Sequence, residues 1–142
     1  MADAISPQAL SELIGSIYDC VLDPSRWDQT LVDVRDALDC HTSALSLMDR
    51  CHHRFLLNKT VGFEPYQLEQ VPKYVPEMVA ILGQALVSWP SLEEPHVDSR
   101  HISTAYIETS LLFQWVKQLG VLADAGLVVG RKREGGAQLG CG

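Results

Sequence analysis

The chain has 142 residues, 46% hydrophobic and 20% charged, with a formal net charge of −7. That length and balance fit one globular domain with its own core and exclude an intrinsically disordered chain. The acidic excess sits mainly in the first fifty residues, and the one dense basic run is Arg131, Lys132, Arg133; three cations are too few to displace the counterions of a duplex, so no direct nucleic-acid binding by this chain is expected.

The first element reads as a helix. Ser6 suits an N-cap and Pro7 the first helical position, where its missing N–H is not needed. Leu10, Leu13, Ile14, Ile17, Tyr18 and Val21 follow at three- and four-residue steps. Asp23 and Pro24 end that helix and start a second, whose stripe is Trp27, Leu31, Val34, Ala37 and Leu38. Trp27 is expected to be buried between this helix and a sheet.

The pattern then changes to strands. Thr42–Met48 and Phe55–Val61 read as an antiparallel hairpin with a loop near Asp49–His53, closed by Gly62. Gly62-Phe63-Glu64-Pro65 reads as a turn into a helix from Tyr66 to about Tyr74, kept short or kinked by Pro72 and Pro76. Val79–Trp89 reads as another helix, stopped by Pro90, and Ser91–Ser103 as a polar loop. Thr104–Leu119 is helical by its four-residue spacing of Ile107, Leu111, Trp115 and Leu119, with Gly120 as its stop. Leu127–Arg131 and Ala137–Cys141 complete the expected antiparallel sheet, and the fold class is α+β.

Several constellations bear on chemistry. Cys40-His41 and Cys51-His52-His53 contain zinc-type ligands, but a strand between them holds the two pairs roughly 30 Å apart, beyond any shared metal. The simpler reading is a strand-flanking cysteine and a polar turn. His96, Asp98 and His101 share one loop and offer either a divalent-ion site or a His–Asp acid–base pair; a polar surface loop explains them as well. Phosphate-binding glycine loops and nucleophile elbows are absent from the sequence. The chain is therefore read as having no catalytic residues and no assigned metal, with its cofactor unknown. Met1–Gln8 lacks a basic start and an apolar run, so a cytoplasmic location with reduced thiols at Cys20, Cys40, Cys51 and Cys141 is expected. Cys20 reads as a small packing residue. The longest mostly apolar stretch, Met78–Trp89, is too short to span a membrane. Tyr66, Tyr74, Trp89, Tyr106, Phe113 and Trp115 all fall between the two strand regions. Helices there would cover the sheet, so these aromatics are the candidate lining of a small-ligand pocket, with core packing as the plainer reading.

The segment Ile17-Tyr18-Asp19-Cys20-Val21-Leu22-Asp23-Pro24-Ser25-Arg26-Trp27 resembles the start of the PAS/GAF-like N-terminal region of LuxR-type helix-turn-helix regulators. Gly62-Phe63-Glu64-Pro65 resembles that family's turn after the second strand. Ser110 through Trp115 to Leu119-Gly120, with Asp124-Ala125-Gly126, resembles its long helix and following strand. The resemblance runs over about residues 8–131 and implies a bacterial sensory or dimerising domain, a sheet flanked by helices after an N-terminal helix pair. It implies no common ligand. Such regulators continue into a helix-turn-helix domain, and no basic recognition helix is present here. A homodimer through the first helix is expected, with Leu13, Ile14 and Ile17 at the contact. The alternatives are an interaction module without a small ligand, or a metal-binding protein using the His/Cys clusters.

Overall fold

A computed structural model describes residues 5–49, 51–88, 96–97, 100, 102–120, 125–132 and 135–141, with 85–88, 96–97, 125–132 and 135–141 described through their backbone alone. The chain is mixed α+β. In order it forms α1 (Pro7–Leu22), a 3-10 turn (Pro24–Arg26), α2 (Trp27–Ala37), β1 (Ser43–Asp49), β2 (Arg54–Val61), α3 (Pro65–Leu68), α4 (Val71–Ser88), β3 (His96–Val97), α5 (Thr104–Thr109), α6 (Leu111–Gln118), β4 (Ala125–Lys132) and β5 (Gly135–Cys141).

Side-chain caps start α1 and the 3-10 turn that leads into α2, whereas α2 itself has no side-chain cap. The Ser6 hydroxyl accepts from the Ala9 amide with Pro7 at the first helical position. Asp23 accepts from both the amide and the hydroxyl of Ser25, and these bonds hold its carboxyl below the usual carboxylate range. Arg26 reaches back to Asp19 at 2.7 Å across the junction. Helices α1 and α2 are in contact. Cys20, fully buried, lies between them: its sulfur is 3.2 Å from the Ser16 carbonyl oxygen and 3.2 Å from the Thr30 hydroxyl.

Strands β1 and β2 form the expected antiparallel hairpin, from Ser43 opposite Val61 to Asp49 opposite Arg54. Leu56 is the extra residue where Leu47 faces Leu57 and Met48 faces Phe55, a bulge in β2. The backbone pairing continues through β5, antiparallel to β1, then β4 and β3, in the order β2-β1-β5-β4-β3. Alternation along β1 sends Ser43 and Met48 to opposite faces. On one face the Ser43 hydroxyl donates to the Leu31 carbonyl at 2.7 Å, both residues buried, and Lys59 pairs with Asp28 of α2 at 2.6 Å. On the other face Met48 packs with Val75 and Val79 of α4, bordered by Phe55, Val71, Met78 and Leu82. The sheet thus carries α2 on one side and α4 on the other.

Four expectations need correction. Trp27 is only half-buried, because it opens α2; Leu31, one turn on, occupies the fully buried position. The helix placed over Tyr66–Tyr74 ends at Leu68, and one helix then runs from Val71 to Ser88 with Pro76 inside it. Pro72 stands in the first turn, where no N–H is required. Pro76 forfeits one main-chain hydrogen bond, and packing of Val75 and Val79 on Met48 outweighs that loss. The helix placed over Thr104–Leu119 is two helices, broken at Ser110, whose backbone is extended. His96–Val97, placed in a loop, pairs with Ala125 and Gly126 as a short edge strand.

Gly62 ends β2 with φ at +89°, and a Cβ there would lie 2.5 Å from the His41 carbonyl oxygen. Gly62→Ala is expected to cost about 1–3 kcal/mol, from left-handed backbone strain and the clash together. Urea denaturation measures it; a cost near zero would mean that the two segments do not approach. Leu31→Ala is expected to cost about 2–5 kcal/mol in the same measurement, and more than Trp27→Ala.

Candidate functional site

Side chains of α4, α5 and α6 meet in both polar and aromatic contacts. Glu77, from α4, is the centre. Its Oε1 accepts from the Tyr106 hydroxyl at 3.0 Å and from the Ser110 hydroxyl, and its Oε2 accepts from the Leu112 amide at 3.2 Å. Ser110 is the N-cap of α6, and its oxygen accepts in turn from the Phe113 amide at 3.2 Å. Two of the unpaired amides at the start of α6 are thus satisfied, one by its own cap and one by a carboxylate from another helix. The negative charge also lies at the positive end of the α6 dipole. Glu77 therefore joins α4, α5 and α6 through one group.

Around it the aromatic rings pair. Tyr74 of α4 stacks on Trp115 of α6, with ring centroids 4.7 Å apart and planes at 19°. Tyr106 of α5 meets Phe113 of α6 edge to face, at 6.4 Å and 83°. Phe113 and Trp115 are buried; Tyr106 exposes part of its ring. Desolvation, then the Glu77 hydrogen bond and charge, raises the Tyr106 phenol above its ordinary value.

Of the six aromatics singled out in the sequence, the structure joins Tyr74 to Trp115 and Tyr106 to Phe113 in these two pairs. Tyr66 stands exposed on α3, where its hydroxyl accepts from Gln67 at 3.4 Å. Trp89 lies outside the described residues. Glu77 and Ser110 were not legible as site residues: Ser110 lies inside an apparently continuous helix, and Glu77 acts on residues 29 to 35 positions away.

The other constellations stay apart. Strand β1 separates Cys40-His41 from Cys51-His52-His53, as expected. In the β1–β2 turn the Asp49 carboxylate accepts from the amides of Cys51 and His52 and lies 2.7 Å from His52 Nδ1. The His52 side-chain contact is the main reason that the Asp49 carboxyl is held below its usual range. Cys20 and Cys51 are free thiols, whereas Cys40 is disulfide-bonded, which corrects the expectation of reduced thiols at that position. Asp98 and His101, expected to join His96, lie outside the described residues. Among the described residues no group of three or more His, Cys, Asp or Glu side chains is placed to hold a metal ion, and no helix is long and apolar enough to cross a membrane.

Of the residues assigned to a dimer contact, Ile14 is exposed on α1, while Leu13 and Ile17 are half-buried on the side that carries Cys20.

No family model matches the chain, and no curated protein matches it.

Glu77→Ala removes the shared acceptor and leaves the Ser110 hydroxyl and the Leu112 amide without it. A loss of about 1–3 kcal/mol is expected in urea denaturation. The same variant should lower the alkaline titration midpoint of one tyrosine, followed by phenolate absorbance. Because the folded-state value of Tyr106 is raised, its contribution to stability is present below the unfolded tyrosine pKa and lost as pH rises through the folded value. A tyrosine titration unchanged by Glu77→Ala would contradict the contact.

Proposed function

We propose that this chain is the sensory or dimerising domain of a bacterial LuxR-type transcriptional regulator, with a PAS/GAF-like fold, acting in the cytoplasm without enzymatic activity. Its role is to pass a signal to a DNA-binding domain. The observation that carries the reading is architectural: an N-terminal helix pair leads into an antiparallel sheet with α2 on one face and α4 on the other. That is the arrangement implied by the resemblance of Ile17–Trp27 and of the two later segments.

In this reading the responsive region is the α4–α5–α6 layer. A small ligand entering between the sheet and these helices would press on the Tyr74–Trp115 stack or the Tyr106–Phe113 pair. Either change reaches Glu77, which ties three helices together, so a local displacement becomes a movement of α6 and of the strand that follows it. The ligand's identity is left open.

A second reading is an interaction module that binds no small ligand. It is favoured by the stacking of Trp115 on Tyr74, which fills that space with the protein's own side chains.

Thermal shift against a panel of small aromatic and amphipathic metabolites separates the two. A ligand at about a hundredfold above its dissociation constant should raise the melting temperature by roughly 5–10 °C. Its binding should change tryptophan fluorescence, and Trp115→Leu should abolish that change. A shift that survives Trp115→Leu with fluorescence unaltered would place the ligand elsewhere, and a panel with no shift would favour the interaction module.

A further inference from the structure

The sequence has four cysteines. Cys20 and Cys51 are free thiols, whereas Cys40 is disulfide-bonded. Within one chain, Cys141 is then the cysteine left to pair with it. The backbone agrees with that pairing: Cys141 ends β5 and stands opposite Ser43, the first residue of β1, three positions after Cys40. Cys40 itself is held by the end of α2. Asp39 adopts a left-handed φ of 52°, its amide donates to the Asp36 carbonyl, and the Cys40 amide donates to the Arg35 carbonyl at 2.9 Å. These two bonds close the helix in a Schellman turn and fix Cys40 at the junction of α2 with β1.

Strand β5 is the element that gains from such an anchor. It lies between β1 and β4 in the sheet, yet its sequence is Gly-Gly-Ala-Gln-Leu-Gly-Cys. Glycine gives a strand no side chain to pack and loses more conformational freedom on ordering than any other residue. A bond from Cys40 to Cys141 closes a loop of roughly 100 residues that holds all five strands, and loops of that length gain most from closure.

We propose that Cys40 and Cys141 form a reversible disulfide, and that it makes the seating of β5 against β1 depend on the redox state around the chain. The proposal rests on the cytoplasmic regulatory role proposed above and names oxidation as a signal for it. Glutathione keeps most cytosolic thiols reduced, so a disulfide that forms there is usually transient and redox-sensing. Cys40 is half-buried at the helix end, not sealed in the core, so exchange reaches it. The oxidant is a small disulfide such as oxidised glutathione. A thiolate of the pair attacks one of its sulfurs, forming a mixed disulfide and expelling one glutathione thiolate. The second cysteine, as its thiolate, attacks the protein sulfur of that mixed disulfide, the Cys40–Cys141 bond forms, and the second glutathione leaves. Two protein thiols thus give up two electrons and two protons, and one glutathione disulfide becomes two thiols. Excess reduced glutathione runs the same steps backwards.

The full chain equilibrated in glutathione buffers, from oxidising to strongly reducing, tests it. Each sample is alkylated, digested and weighed, and hydrogen exchange is followed at the backbone amides of β5 and of α4. A peptide pair joining residue 40 to residue 141 is expected in oxidising buffer, absent in excess reduced glutathione and restored on reoxidation. Reduction is expected to speed exchange in β5 at least about tenfold while α4 is unchanged. Cys141→Ser in oxidising buffer should match the reduced wild type. Cys40 found joined to Cys20 or Cys51 would overturn the proposal, as would a bond that persists in excess reduced glutathione. So would β5 exchange that ignores reduction, or exchange that speeds equally in α4, which reports loss of the whole fold. A ligand panel without a shift leaves the redox result standing, and a bond that resists glutathione leaves the ligand reading standing, so the two failures are distinguishable.

Discussion

Strand β1 is constrained on both faces and both edges, and the fold follows from that. Its edges bond to β2 and β5. One face receives α2 through the buried hydrogen bond from Ser43 to the Leu31 carbonyl, and the other receives α4 through Met48. Residues of opposite parity on one seven-residue strand thereby set where two helices lie. A one-residue slip in register would send Ser43 toward the α4 core and Met48 toward the end of α2, exchanging a satisfied hydroxyl for an unpaired one. The bulge at Leu56 keeps Phe55 beside Met48 on the α4 side.

From β1 the organisation passes outward by two routes. Through α2 it reaches α1, held by the Cys20–Thr30 contact inside and the Asp19–Arg26 pair outside. The inner contact excludes water and fixes spacing, whereas the outer pair is exposed and contributes little to stability. Through α4 it reaches α5 and α6, where Glu77 replaces a local cap with one brought from another helix. A carboxylate shared by a phenol, a hydroxyl and a main-chain amide makes three helices depend on one side chain.

Much of this was legible in the sequence, for identifiable reasons. The hairpin was readable because both strands are short, apolar and bounded by turn residues, and its ends fell within a residue of Ser43–Asp49 and Arg54–Val61. The start of α1 was readable because Ser6-Pro7 carries its capping chemistry locally; Asp23-Pro24 does the same for the 3-10 turn, and α2 follows three residues later at Trp27. What failed was decided at a distance. Pro76 reads as a breaker until Val75 and Val79 are seen against Met48, and Ser110 reads as mid-helix until its extended backbone is seen. The inward side of α1 was ambiguous because the helix is apolar over most of its circumference, so periodicity alone does not select Leu13 and Ile17 over Leu10 and Val21. Four of the six aromatics named from the sequence fall in the two ring pairs, but neither their pairing nor Glu77 was legible, since no local pattern links Tyr74 to Trp115 or Glu77 to Ser110.

Native-state hydrogen exchange resolved to single amides tests the organising role of β1 most directly. The amides of Ala44–Met48 that bond to β2 and β5 should exchange only through global unfolding, with protection matching the free energy from urea denaturation. Leu31→Ala and Val79→Ala, on opposite faces of the strand, should lower that protection equally along its length. Exchange at Ala44–Met48 as fast as in the Cys51–His53 turn, or protection lost only beside the substituted residue, would contradict the account.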